Sequence, residues 1–268
     1  MEAPTKSLQD HFKSFDPSSQ GGGWNTCWEE DWTPWDRGGH SRALYDLLKE
    51  HPGLFNSPTE SSNERKTALV PGCGRGHDVL LLSSLGYNVY GLDYSPKAIE
   101  EAKGNAEKAT TEGLYDPQSD KCGPVTWLSG DFFMDSWLKE ADIGGKFDLI
   151  FDYTFLCALH PVQRPRWAER MRNLLAPNGR LVCLEFPSRN PTEPGPPWAL
   201  PPHTYVTYLS QPGASVETDE FGGVINGDIA QQANGLVRIA HFKPHRTFAA
   251  GMKDGAVQDW ISVWKHND

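Results

Sequence analysis

From Thr67 onward the chain alternates short apolar runs with amphipathic stretches, and that alternation predicts a parallel α/β architecture. TALVP (67–71), NVYGLD (88–93), VTWLS (125–129), KFDLIFDYTF (146–155) and GRLVCLEF (179–186) each read as a strand. The fourth is almost continuously apolar, as expected of a strand covered on both faces of a parallel sheet. Helical patterns lie between them: VLLLSSLG, a helix opened by Ser95-Pro96 and running to about Ala109, and residues 163–176 before Pro177-Asn178-Gly179. Serine is a favoured N-cap and proline suits the first helical turn. Strand and helix in this repeat give right-handed crossovers on a parallel sheet. LVRIAHF (236–242) and VQDWISVW (257–264) alternate apolar with polar positions and predict a closing antiparallel pair.

The flanks are less regular. Residues 1–23 predict a short helix that runs into Ser18-Ser19-Gln20-Gly21-Gly22-Gly23, which reads as a flexible joint. WNTCWEEDWTPWDRG follows, with four tryptophans in twelve positions. SRALYDLLKE (41–50) predicts a helix, whereas 51–66 and 110–124 read as loops. The proline-rich stretch 187–204 predicts a semi-rigid loop without regular structure, and 205–235 carries no pattern that decides its form.

Composition narrows the function classes. A chain of 268 residues, 38% hydrophobic and 22% charged, can bury a full core. Its mean hydropathy of -0.56 is depressed by 26 Gly and 21 Pro, which imply long shaped loops. The net charge of -10 comes with no basic cluster beyond Arg164, Arg166, Arg170 and Arg172, so no nucleic-acid partner is expected. Five cysteines, widely spaced and without a C-x-x-C, argue against a disulfide framework or a zinc site. The histidines lack H-E-x-x-H spacing, so no metal site is expected. No signal-peptide core opens the chain and no apolar run approaches a membrane span, so a cytoplasmic protein without a membrane partner is expected.

The strongest local motif is Pro71-Gly72-Cys73-Gly74-Arg75-Gly76, directly after the first strand and before a helix. Glycines there let backbone approach a ligand, in the crevice at strand ends where open α/β sheets bind theirs. The spacing is G-x-G-x-G, not the dinucleotide G-x-G-x-x-G, and no Lys-Ser/Thr follows as in a P-loop. A tight loop without phosphate-binding features suits a nucleoside such as S-adenosylmethionine (SAM); a tight turn with no ligand is the alternative. Asp93 ends the second strand, 17 residues after Gly76. Its two oxygens could accept from both ribose hydroxyls, or it could serve the following helix N-terminus. Asp131 and Phe132 follow the third strand, where adenine would lie in this architecture; a surface acid after a turn is the even alternative. Tyr153 ends the fourth strand, where donor and acceptor should meet.

CWEEDWTPWDRG, ALVPGCGRGHDV, VYGLDYSPKAIEEA and FDLIFDYTFLCALHPVQRPRWAERMRNLLAPNGRL together resemble plant-type thiol and halide methyltransferases of the thiopurine S-methyltransferase superfamily. The resemblance covers about residues 22–200 and includes Pro71, where most class I methyltransferases carry an acid before the first glycine. It implies an α/β three-layer sandwich: a class I, Rossmann-like methyltransferase with a mostly parallel seven-stranded sheet and an antiparallel C-terminal strand. It further implies one SAM-dependent domain over 1–268, with an N-terminal lid (1–50), a SAM-binding core (66–186) and acceptor-side loops with closing strands (187–268). Donor contacts carried over are Trp24, Trp28, Trp35, Gly72, Asp93, Asp131, Phe132 and Tyr153, with Gly74 and Gly76 completing the loop. Trp24 and Trp28, at i and i+4, share a helical face, and aromatic faces attract a cationic sulfonium. GPPWALPP resembles the family's loop near the substrate, whereas 205–235 matches nothing in the pattern.

The implied reaction is methyl transfer from SAM, as co-substrate, to a small thiol, hydrosulfide, thiocyanate or halide. Such anions need no strong base, so positioning can carry the catalysis. Tyr153 is the residue expected to align donor or acceptor. His160 is expected as a turn residue before Pro161, or else as an aid to proton removal, and His77 as a packing or capping residue. Two alternatives stand: a methyltransferase of a larger secondary metabolite, and a non-catalytic subunit that holds the donor or its product.

Overall fold

The computed structural model describes residues 6–55, 65–141, 144–225 and 231–267. In chain order the elements are α1 (Leu8–Phe12), α2 (Gln20–Glu29), α3 (Arg42–Glu50), β1 (Thr67–Pro71), α4 (His77–Ser84), β2 (Asn88–Asp93), α5 (Pro96–Thr111), β3 (Val125–Ser129), α6 (Ser136–Glu140), β4 (Phe147–Tyr153), α7 (Arg164–Leu174), β5 (Leu175–Glu185), α8 (Pro202–Ser210), β6 (Leu236–Phe242), β7 (Met252–Lys253), β8 (Ala256–Val257) and β9 (Trp260–His266). Seven strands form one sheet in the order β3-β2-β1-β4-β5-β9-β6. Pairs from β3 through β5 are parallel, and β9 runs antiparallel to both β5 and β6. This is the class I methyltransferase architecture that the resemblance implied. β7 and β8 make a small separate hairpin.

The period of two along β4 divides the core. Leu149 and Phe151 face a cluster with Leu44 and Leu47 of α3 and Leu82 of α4, while Ile150 faces one with Trp167 and Met171 of α7 and Tyr205 of α8. Asp152 lies on the α7 side, fully buried, and Tyr153 on the α3/α4 side. The helices therefore form an outer layer on each face, and the sheet order reverses between β1 and β4. In open α/β sheets that reversal opens a crevice at the carboxyl ends of the strands.

Capping follows the sequence closely. Ser41 Oγ accepts from Leu44 N–H (3.1 Å) at the start of α3, and Ser95 Oγ accepts from Ala98 N–H (3.4 Å) at the start of α5, with Pro96 in the first turn. The predicted helix near the N-terminus is α1, with Ser7 as its cap.

Four expectations need correction. Gly21, Gly22 and Gly23 are no joint: they lie inside α2. A Cβ at Gly23 would stand 2.6 Å from the Phe12 ring, and one at Gly21 would enter the Tyr94 ring, so the glycines serve close packing. Pro177-Asn178-Gly179 does not separate α7 from its strand, because β5 begins at Leu175 and absorbs the turn as a register shift against β4. The proline-rich loop ends at Pro201, since Pro202 opens α8 at a position where a missing N–H costs nothing. The closing strand is Trp260–His266, two to three residues later than expected, with 256–257 given to the hairpin instead. Within the undecided 205–235, α8 runs to Ser210 and Thr218 bridges Val224; 226–230 lie outside the described residues, as do 56–64 of the expected loop 51–66.

Candidate active site

At the switch point the backbone turns sharply. Gly72 (φ 61°) and Gly74 (φ 50°) both adopt the left-handed region, which a side chain would strain. A Cβ at Gly72 would also stand 2.6 Å from the Phe155 ring. Gly74 N–H donates to Asp93 Oδ2 (3.0 Å) and Ser95 N–H to Oδ1 (3.0 Å), so one carboxylate ties the loop after β1 to the end of β2. Burial pushes the Asp93 carboxyl up, against the pull of backbone N–H groups from Ser95, Gly74 and Tyr94. A carboxylate offers about four lone-pair directions, so both oxygens retain acceptor capacity. Gly76 (φ 73°) caps α4, and Trp127 and Ala102 crowd the space a Cβ would take; it shapes the loop and lines neither cavity described below.

The N-terminal segment folds over this end of the sheet. Gln20 Oε1 accepts from His160 N–H (3.0 Å), and Ser95 Oγ donates to Asn25 Oδ1 (2.7 Å). Arg75 of the glycine loop pairs with Asp36 and with Glu101 (2.7 Å), donates to Thr33 Oγ1 (3.0 Å), and lies 5.3 Å from the Trp28 ring. His77, Gly38 N–H and Arg75 hold Asp36 well below the usual carboxylate range. Trp35 meets Trp24 and Trp28 edge-on at 5.0 and 5.8 Å between centroids, which makes one aromatic surface of residues from α2 and the following turn.

Between that surface and the strand ends lies a cavity of about 350 Å³. Trp24, Trp28, Trp35, Gly72, Asp93, Asp131 and Phe132 all line it, so the structure brings together seven of the ten residues singled out from sequence. Asp131 Oδ1 accepts from Phe133 N–H (2.9 Å), and Phe132 meets Phe155 edge-on at 5.0 Å. Gly74 and Tyr153 stand apart from this cavity, on a smaller one of about 90 Å³ that shares Trp28, Trp35, Arg37, Gly72, Asp93 and Thr154 with it. Tyr153 stacks on Phe248 (5.4 Å, 13°) and meets Phe186 edge-on at 6.1 Å. Burial pushes its phenol up, while Arg37 nearby pulls it back.

Several lining residues escaped the sequence reading. Gln20, Tyr94, Phe155 and Arg37 line the cavity as well; the last three lie inside the segments that carry the family resemblance, but nothing in those segments singled them out. Thr154 had one signal, its position just past an apolar strand; it takes φ 59°, unusual for a β-branched residue and a mark of a shaped turn. His77 packs between Asp36 (Nε2 to Oδ1, 3.4 Å) and Asn105 (3.3 Å). His160 Nδ1 accepts from Val162 N–H (3.4 Å) and its ring meets Trp198, so it caps the turn that Pro161 begins.

A sequence model of the thiopurine S-methyltransferase family matches residues 19–244. The chain belongs to that family. Thiocyanate methyltransferase 1 of Brassica oleracea is 38% identical over 188 residues, which are 70% of this chain and 71% of that protein. Probable thiol methyltransferase 2 of Arabidopsis thaliana is 33% identical over 244 residues, 91% of this chain and 94% of its relative. Magnesium protoporphyrin IX methyltransferase of Synechocystis PCC 6803, solved with bound SAM, shares the fold: TM-score 0.55 at 14% identity, over 94% of this chain and 98% of that one. As a thiopurine S-methyltransferase family member the chain is a SAM-dependent methyltransferase, with SAM as co-substrate. The site fits that donor on its own chemistry. The glycine turn lets backbone approach a nucleoside, Asp93 keeps free lone pairs, and tryptophan faces and carboxylates suit a cationic sulfonium.

Proposed function

We propose that the chain methylates a small sulfur-centred or halide anion: a thiolate, hydrosulfide, thiocyanate or halide. The observation that carries this reading is the room beside Tyr153. It amounts to about 90 Å³, is walled by Trp28, Trp35, Phe151 and Phe248, and holds Arg37 as a cation without an ion pair among the described residues, whereas of its carboxylates Asp36 is paired with Arg75, Asp93 is tied to backbone N–H groups and burial pushes Asp78 up. A space of that size holds several water-sized groups, which is room for a small anion. The names of the thiocyanate and thiol methyltransferases that resemble the chain point the same way.

SAM supplies an activated methyl group on a sulfonium. In this reading Asp93 holds the ribose and Asp131 with Phe132 the adenine, while Trp24, Trp28 and Trp35 close over the sulfonium. Tyr153 orients the acceptor. Its phenol, kept protonated by burial, donates a hydrogen bond and takes no proton. Cys157, also buried, stays a thiol and is no competing nucleophile. An acceptor that arrives as an anion needs no base, and proximity alone can supply about 7–11 kcal/mol when the reacting atoms are held in line. Residues 1–50 act as the lid, 66–186 as the donor-binding core and 187–268 as the acceptor side. An aqueous, reducing compartment would keep the five free cysteines as thiols.

The test is a donor-dependent assay of the purified chain with hydrosulfide, thiocyanate, iodide and aryl thiols, reading S-adenosylhomocysteine release. Turnover that requires one of these acceptors is the expected result. Donor binding with no turnover on the whole panel would refute the reading and favour a larger acceptor or a non-catalytic role.

A further inference from the structure

Arg37 is the cation on which the two cavities meet, since it lines both. Among the described residues it forms no ion pair within 4 Å, and its Nε–H is buried without an acceptor. The neighbouring Asp36 is taken up by Arg75, His77 and Gly38 N–H. Asp259 feels the guanidinium from beyond pairing distance and accepts a hydrogen bond from Thr247 instead. The Tyr153 hydroxyl is also buried without a hydrogen-bond partner. The guanidinium carbon lies 5.6 Å from the Phe186 ring, and Phe186 and Phe248 flank Tyr153. A partly buried guanidinium without an ion pair among the described residues therefore stands beside the Tyr153 phenol, near enough to pull its pKa down by hydrogen bonding as well as by charge, in a cavity walled by aromatic rings and by the engaged carboxylates of Asp36 and Asp93.

Leaving buried donors unsatisfied is costly, and a bound acceptor would relieve both at once. Arginine is the more weakly hydrated of the two basic side chains, so it surrenders its water readily to an anion. Aromatic walls offer little to a strongly hydrated ion and favour a soft, polarisable one. We propose that Arg37, together with Tyr153, is the seat of an anionic group at the junction of the cavities, and that this group is the methyl acceptor. The donor's own carboxylate is the other source of such a charge in the complex. This deepens the functional reading above and rests on it for the identity of the acceptor, but the anion seat itself can be tested by binding alone.

The experiment compares wild type with Arg37→Gln and Arg37→Lys, after thermal melts establish that all three fold alike. S-adenosylhomocysteine is titrated into each protein by calorimetry, and thiocyanate is then titrated into each saturated complex. We expect Arg37→Gln to weaken thiocyanate binding by about tenfold to a hundredfold, the scale of one charge-assisted hydrogen bond, with a change under about twofold for S-adenosylhomocysteine. Arg37→Lys should recover part of the loss, because it keeps the charge without the fork. Weakening confined to S-adenosylhomocysteine would keep the anion seat and assign it to the donor carboxylate. Unchanged binding of both ligands would overturn the proposal. Wild-type protein that turns over none of the small acceptors would refute the functional reading, while the titrations still decide the role of Arg37.

Discussion

Asp152 illustrates how single residues near the site serve the fold before they serve chemistry. It is fully buried at the end of β4, accepts from Trp167 Nε1–H (2.9 Å) and from Leu156 N–H (3.2 Å), and so pins the turn that carries Thr154 and Phe155 to the cavity. Burial pushes its carboxyl up to about 6. A group raised in the folded state binds its proton more readily there than in the unfolded chain, between about 3.9 and about 6. Stability from this group therefore falls as pH rises through that window. We expect the stability of wild type relative to Asp152→Asn to increase by about 1–3 kcal/mol as pH drops from 7 to 4, measured by denaturant unfolding at both pH values. Taking the difference between variants removes opposing carboxylates such as Asp36, whose depressed value acts with the other sign. At this scale the glycines and Asp93 were legible because each stands at the end of a strand that its own apolar run marks in the sequence. Arg37 was not, because its meaning depends on Tyr153 and Phe248, more than a hundred positions away.

Among the elements, α2 departs most from what its sequence suggests. Three successive glycines are poor helix formers, each disfavoured by about 1 kcal/mol relative to alanine. Their composition alone reads as a joint. The helix forms because tertiary packing outweighs propensity: Phe12 seats against Gly23, Tyr94 against Gly21, and Gln20 and Asn25 reach His160 and Ser95. The glycine run is thus what allows the aromatic segment to press onto the core. Gly21→Val would drive the Tyr94 ring away. We expect it to weaken S-adenosylhomocysteine binding by at least about tenfold while the melting temperature falls only by a few degrees, because the core clusters lie elsewhere. Titration beside a thermal melt checks this, and an unchanged affinity would mean that α2 docking does not shape the donor site. Strands β1, β2, β3 and β6, by contrast, were readable residue by residue, whereas β4, β5 and β9 have bounds up to four residues from where they were expected. β2 is a closed run with all but its first residue buried, so its pattern reports burial directly, whereas β3, at the sheet edge, is mostly half-buried. Loops 187–201 and 211–225 carry no period, and their shape comes from what they rest on, such as the Arg164 guanidinium that donates to Gly222 C=O (2.5 Å).

At the scale of the whole molecule, the sheet order decides where chemistry can happen. Reversal between β1 and β4 leaves a gap at their carboxyl ends, and the glycine turn, Thr154 and the N-terminal segment all converge there. That convergence follows from the fold class, which the spacing of strands and helices already implied. The division of the gap into a larger cavity and a small annex that holds Arg37 did not follow. It depends on the C-terminal hairpin region bringing Phe248 onto Tyr153. The proposed division of labour is open to one direct measurement: anomalous diffraction from crystals holding S-adenosylhomocysteine and iodide, the iodide standing in for a soft anionic acceptor. We expect the nucleoside in the larger cavity with its ribose on Asp93, and an iodide peak in the annex between Arg37 and Tyr153, facing the sulfur. A nucleoside bound elsewhere, or iodide found only outside the annex, would contradict the assignment of donor and acceptor sites.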